Sequence, residues 1–159
     1  MTLYVAVCGP DPCTDEVAGQ AETVGRLLAS AGAVLVCGGL GGVMEAAARG
    51  ATAEGGTVVG ILPGSNRSEA NPFVTIALPT GMGEIRNALI VRAANAVIAI
   101  AGEFGTLSEI AFALKTGTPV IGLGTWDLAR PGREPDPIAR VATPEEAVRS
   151  ALELAAPSG

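Results

Sequence analysis

Short apolar runs that end in glycine recur along this chain, each followed by a segment of helical length. Leu3 to Cys8 precedes Gly9, Ala33 to Cys37 precedes Gly38, and Ala96 to Ala101 precedes Gly102. Strands that read as continuous apolar runs are buried on both faces, which in practice means a parallel sheet covered by helices. Parallel neighbours need crossover connections, and these are right-handed. The expected fold is therefore α/β: a Rossmann-like three-layer α/β/α arrangement with a mainly parallel sheet.

The pattern can be followed along the sequence. Thr14, followed by Asp15 and Glu16, predicts a helix start with acids at the positive end of the helix dipole, and that helix runs to about Ala31. Gly38 to Gly42 turns into a helix from about Val43 to Glu54, which Gly55 and Gly56 stop. Thr57 to Leu62 is the next strand, Pro63 to Pro72 a polar loop carrying Arg67, and Phe73 to Ala77 a further strand. A helix over Gly83 to Ala94 leads to the Ala96 to Ala101 strand and a turn at Gly102 to Gly105. A helix over Leu107 to Thr116 and a strand over Pro119 to Leu123 follow. Gly124 to Pro137, with Trp126, reads as a long loop. Thr143-Pro144-Glu145-Glu146 then opens the last helix, with Thr143 as cap and Pro144 at the first helical position. No linker or internal repeat interrupts the alternation, so residues 1–159 are expected to form one domain.

Composition supports this and narrows the function. The chain is 48% hydrophobic but only 3% aromatic, so its core must be built from Ala, Val, Ile and Leu. A net charge of -6 argues against a nucleic-acid surface or an anionic membrane, both of which call for a basic stripe. No apolar stretch approaches the roughly 18 residues that span a bilayer. A cytoplasmic protein with a small-molecule ligand is expected.

The three cysteines, Cys8, Cys13 and Cys37, form no C-x-x-C pair, so neither a disulfide framework nor a zinc site is indicated. Cys8 and Cys37 read as buried small apolar residues, whereas Cys13 falls in a loop where a thiol could react. The chain has no histidine, which leaves carboxylates, arginine, hydroxyls, thiols or backbone dipoles for any catalysis.

In open parallel sheets, ligands bind outside the carboxyl ends of the strands. Three such ends carry glycine here: Gly9-Pro10, Gly38-Gly39-Leu40-Gly41-Gly42, and Gly102 to Gly105 before Thr106. Glycine lets backbone N–H groups approach an anion at a helix start, which favours phosphate; tight strand-to-helix turns alone would also call for it. Gly39 to Met44 lacks the last glycine of a G-x-G-x-x-G fingerprint, and no loop holds the G-K-[ST] of a Walker A sequence. Glu45, in the first turn after the second loop, is either a dipole-stabilising acid or a ligand contact. Arg67 is a weaker candidate.

The segment Ala101-Gly102-Glu103-Phe104-Gly105-Thr106-Leu107-Ser108-Glu109 resembles the P-G-G-x-G-T-x-x-E signature of the LOG family, phosphoribohydrolases that act on cytokinin nucleotides. Arg86, at the family's spacing upstream, and Gly41-Gly42-Val43-Met44-Glu45-Ala46-Ala47 extend the resemblance, which covers Val5 to about Thr125. The chain is most similar to a short branch that molybdenum-cofactor carrier proteins also resemble. The resemblance implies a homodimer or higher homo-oligomer that holds an AMP-like nucleotide or a molybdopterin-like ligand over these loops and requires no other cofactor. It also implies catalytic roles for Arg86 and Glu109 in the enzymes' manner. Asn87 stands where the enzymes carry lysine, Ala101 replaces the signature proline and Glu103 its second glycine.

Two functions follow. One is hydrolysis of the N-glycosidic bond of a nucleoside 5′-monophosphate, with Glu109 orienting water against a ribose carbon that develops positive charge and Arg86 holding ribose or phosphate. The other is a non-catalytic carrier or nucleotide sensor, which Asn87 and Glu103 favour. Glu109 also fits a capping box with Thr106, and Arg86 a solvated helix face. Lysine decarboxylation is rejected, because the one lysine, Lys115, is six residues beyond Glu109 and rotated about 120° from it on the same helix.

Overall fold

The computed structural model describes residues 1–135 and 137–157. Its strands are β1 (Tyr4–Cys8), β2 (Val34–Cys37), β3 (Val58–Leu62), β4 (Ile76–Pro79), β5 (Ala96–Ile100), β6 (Val120–Leu123) and β7 (Ile138–Val141). Its α-helices are α1 (Asp15–Ser30), α2 (Val43–Ala53), α3 (Asn87–Arg92), α4 (Phe104–Thr116) and α5 (Pro144–Ala155). The strands form one seven-stranded sheet in the order β4-β3-β2-β1-β5-β6-β7, and every pairing is parallel.

Side chains alternate across the sheet. Val5, Val7, Leu35, Cys37, Ile98 and Ile100 face one core, which the buried residues of α1, α2 and α5 complete. Ala6, Cys8, Val36, Val97 and Ala99 face the other, closed by Ile90 and Val91 of α3 and Ile110 and Ala113 of α4. Every residue of β5 is buried, which accounts for its unbroken apolar sequence.

Several expectations need adjustment. The last strand pair is not legible in the sequence: β7 follows directly on the expected Gly124 to Pro137 loop, and only four of its residues pair with β6. The further strand starts at Ile76 rather than Phe73, because the Asn71 side chain accepts from the Phe73 N–H and holds a turn there. The expected helix over Gly83 to Ala94 is a 3-10 turn, Gly83–Arg86, continued by the short α3. The caps of α1 and α5 are as expected, with Thr14 accepting from Val17 N–H and Thr143 from Glu146 N–H, both at 3.2 Å.

The contact between α1 and α2 was not anticipated. A Cβ on Gly25 of α1 would lie 1.9 Å from the Ala47 carbonyl oxygen, and one on Gly50 of α2 would lie 2.0 Å from that of Glu22. These two glycines let the helix backbones touch, while Arg49 closes the contact with an ion pair to Glu22 at 3.0 Å. Gly50→Ala is expected to destabilise the fold by about 2–3 kcal/mol, because backbone would have to move. Gly19→Ala, on the open side of α1 with nothing within 4 Å, should stabilise it by about 0.5–1 kcal/mol. Chemical denaturation of the two variants checks both; equal stabilities would contradict the close-packed interface.

Candidate functional site

β1 pairs with β2 on one side and β5 on the other, so the chain reverses its direction of travel across the sheet between β1 and β5. A crevice opens outside the carboxyl ends of strands at such a reversal. Here it is a cleft of about 100 Å³ lined by Cys8 at the end of β1 and Gly9 after it, Gly38 after β2, Met44 of α2, Arg86, Asn87, and Gly105, Thr106 and Glu109 of α4.

Arg86 closes the 3-10 turn after β4 and reaches back beneath the edge of the sheet. Its Nε donates to the Ile61 carbonyl at 2.9 Å, Nη2 to the Gly38 carbonyl at 3.4 Å, and Nη1 to the Asn87 side-chain oxygen. Only 7% of the residue is exposed, which rules out a solvated helix-face arginine. Gly38 is needed for this: a Cβ there would lie 2.7 Å from Arg86 Nη2. Burial pulls the Arg86 pKa down, while the nearby charges of Glu109, Cys37 and Glu84 pull it up. Arginine remains cationic under such opposing effects.

α4 begins at Phe104, three residues earlier than expected. Its N-cap, Glu103, makes no side-chain capping bond, and Leu107 N–H is the first to bond back, to the Glu103 carbonyl at 3.0 Å. The N–H groups of Phe104, Gly105 and Thr106 are thus the donors a helix start leaves without partners. Gly105 has open space where a Cβ would point. The early start follows from the loop after β6, where Trp126 Nε1 donates to the Glu103 carbonyl at 3.1 Å and the Trp126 ring packs on Phe104. The capping-box reading of Thr106 and Glu109 therefore fails, since Thr106 is the third helical residue and Glu109 lies in the second turn.

Glu109 is 8% exposed. Burial pushes its carboxyl from an ordinary 4.5 up to about 7, although the hydrogen bond from the Cys8 thiol and the charge of Arg86 pull the other way. The Cys8 thiol is in turn raised well above its ordinary value, by burial and then by Glu109. Cys8 is thus part of the site as well as of the core. The signal for it was its place as the last residue of β1, directly before Gly9 at the reversal point. Cys13 is not an activated thiol, because partial burial and the charges of Asp11 and Asp15 raise its pKa.

The other expected residues divide between two regions. At the Gly38 to Gly42 loop, Gly41 N–H is spent on the Asp11 carboxylate at 3.2 Å, and Val43 N–H, at the helix start that follows, on the Pro10 carbonyl at 3.1 Å. Gly39 packs on Leu62 and Gly60, and Gly102 on Thr106 and Trp126. Gly42 and Glu45 line a separate cleft with Asp11, Cys13 and Arg49, so Met44, one residue earlier on α2, reaches the Arg86 cleft instead. Arg67 is exposed in a 3-10 turn, and Lys115 lies beside Leu128 and Arg130, apart from Glu109. Asn87 bridges the site, accepting from Arg86 and donating to Ser108 Oγ at 3.1 Å. Among the described residues, no group of three or more His, Cys, Asp or Glu is placed to hold a metal ion, and no helix is long and apolar enough to cross a membrane.

Fold and site together define a Rossmann-type protein with a cleft at the switch point of its parallel sheet, lined by a helix start and a buried arginine. The chain belongs to the SLOG cluster4 family, whose model matches residues 2–148. This agrees with the LOG-like resemblance of its motifs. It is 43% identical to an uncharacterized protein of Archaeoglobus fulgidus over 92% of each chain. The molybdenum cofactor binding protein from the phototrophic bacterium Rippkaea orientalis has a similar structure, with a TM-score of 0.90 and 34% identity over 98% of this chain and 99% of that one. The molybdenum cofactor carrier protein of Chlamydomonas reinhardtii is also similar, with a TM-score of 0.84 and 29% identity over 97% and 98% of the two chains.

The raised Glu109 pKa has a stability consequence. Between 4.5 and about 7 the folded protein holds a proton that the unfolded chain has released, so stability falls as pH rises through that window and is level above it. Glu109→Gln should therefore leave stability unchanged at pH 4 and raise it by about 2–3 kcal/mol at pH 8. Urea denaturation at the two pH values checks this. A variant less stable than wild type at pH 8 would contradict a carboxyl strained by burial.

Proposed function

We propose that this protein binds a small phosphate-bearing ligand in the Arg86 cleft and serves as a carrier or sensor for it, with a pterin-type cofactor or a nucleotide as cargo. The observation that carries this reading is the pairing of an uncapped α4 start with a buried guanidinium on one cleft. An oxyanion there receives the N–H groups of Gly105 and Thr106 and faces the charge of Arg86. Glu109 with a pKa of about 7 lowers the local negative charge when protonated, so an anion bound here favours the protonated carboxyl. The similarity to proteins described as binding or carrying molybdenum cofactor supports a cargo of that kind. Asn87, neutral where the LOG enzymes have lysine, fits holding better than turnover.

A second reading rests on Glu109 itself. A carboxyl that titrates near 7, beside an arginine and inside a cleft, suits a general base that orients water against the ribose carbon of a nucleoside 5′-monophosphate. Arg86 then holds the phosphate or ribose. We also infer a homodimer, because Leu89 and Ala93 of the α3 region and Ala111 of α4 leave apolar surface exposed on one side of the molecule.

Native mass spectrometry of the purified protein reads both assembly and co-purifying ligand, and incubation with a panel of nucleoside monophosphates reads turnover. The expected outcome is a dimer that carries a phosphate-bearing small molecule, lost in Arg86→Ala, with no free base released. Release of base by the wild type, reduced at least about 100-fold in Glu109→Gln, would replace the carrier reading with the hydrolase. A monomer would contradict the dimer.

A further inference from the structure

Beside the small Arg86 cleft, and sharing Arg86, Asn87 and Gly105 with it, lies a larger cleft of about 680 Å³. It is lined by Phe104, Ile85 and Glu84 among others. Phe104 is 75% exposed and Ile85 71%, unusual for such large apolar side chains in a chain whose other aromatics are few. Phe104 is nevertheless held in place. The Trp126 ring lies against it with centroids 5.6 Å apart, and Trp126 is itself tied to the Glu103 carbonyl. An aromatic ring that is fixed on one side and open on the other is a stacking platform.

The cleft is mostly apolar but holds charged groups of both signs. Arg86 and the uncapped start of α4 line it, and both suit an anion. The exposed Glu84 carboxylate stands on the same cleft and repels an anion, but accepts N–H donors. A ligand that satisfies both is a phosphate joined to a planar ring whose far edge carries N–H groups.

We infer that the Phe104, Ile85 and Glu84 cleft binds the ring of the ligand and selects a 2-amino-4-oxopyrimidine edge, the pair of adjacent N–H donors that guanine and pterins share. This rests on the proposed phosphate site at Arg86 and Gly105. A carboxylate takes both donors of that edge in a paired hydrogen bond, whereas adenine offers one donor beside a ring-nitrogen lone pair that the carboxylate repels. Inosine, with the ring N–H but no 2-amino group, gives one of the two bonds.

Calorimetric titration with GMP, IMP, AMP and inorganic sulfate tests the inference. Wild type is expected to bind GMP at least about 10-fold tighter than AMP, with IMP between. Glu84→Gln should bring GMP to within about threefold of AMP and leave sulfate binding no weaker. Phe104→Leu, which keeps an apolar contact for Trp126 but removes the stacking ring, should weaken all three nucleotides about 10-fold and sulfate by much less. Equal binding of AMP and GMP by wild type, or a GMP preference that survives in Glu84→Gln, overturns the ring selection. Sulfate binding with no added affinity for any nucleotide overturns the ring subsite and leaves the phosphate site standing. Failure of sulfate and all three nucleotides overturns both.

Discussion

Burying a guanidinium costs several kcal/mol unless its donors and charge find partners, and much of the carboxyl edge of this sheet is arranged around meeting that cost for Arg86. Its partners come from separate elements: the carbonyls of Ile61 on β3 and Gly38 after β2, the Asn87 side chain, and the nearby Glu109 of α4. Gly38 must lack a side chain for the guanidinium to fit. Because Arg86 spends these donors on the protein, its place is held before a ligand arrives. Preorganisation of this kind is what a binding site for a small anion requires.

Glu109 sits within reach of that positive charge yet titrates near neutrality, since burial outweighs both Arg86 and the Cys8 thiol. The site therefore changes its own charge across physiological pH. This matters in a chain of net charge -6, where long-range electrostatics work against an anionic ligand and local dipoles must supply the attraction. The uncapped start of α4 presents the positive end of a helix to the cleft, and its position depends on Trp126, more than twenty residues farther along the chain.

The alternation of apolar runs and helices was enough to read the parallel sheet, and the LOG-like resemblance singled out Arg86 and Glu109, which line one cleft. Other features depended on contacts between distant residues. Glycine after a strand looks the same in sequence whether it admits a phosphate, as the open space at Gly105 allows, or makes room for another side chain, as at Gly38. Successive helical residues point about 100° apart, so the choice between Met44 and Glu45 turns on a rotation of α2 that sequence does not fix. Thr106 and Glu109 match a capping box, but the Trp126 contact starts the helix earlier and moves Glu109 into the second turn. Strand β7 is short and bears Arg140 amid its apolar residues, so its pairing with β6 was hidden by a long loop before it.

A crystal structure with a nucleoside 5′-monophosphate bound tests the central claim most directly. The account places the phosphate oxygens about 2.7–3.2 Å from the N–H groups of Gly105 and Thr106, with Arg86 facing them across the cleft. A phosphate seated instead in the Gly38 to Gly42 loop beside Asp11, or at the amino edge of the sheet, would contradict it.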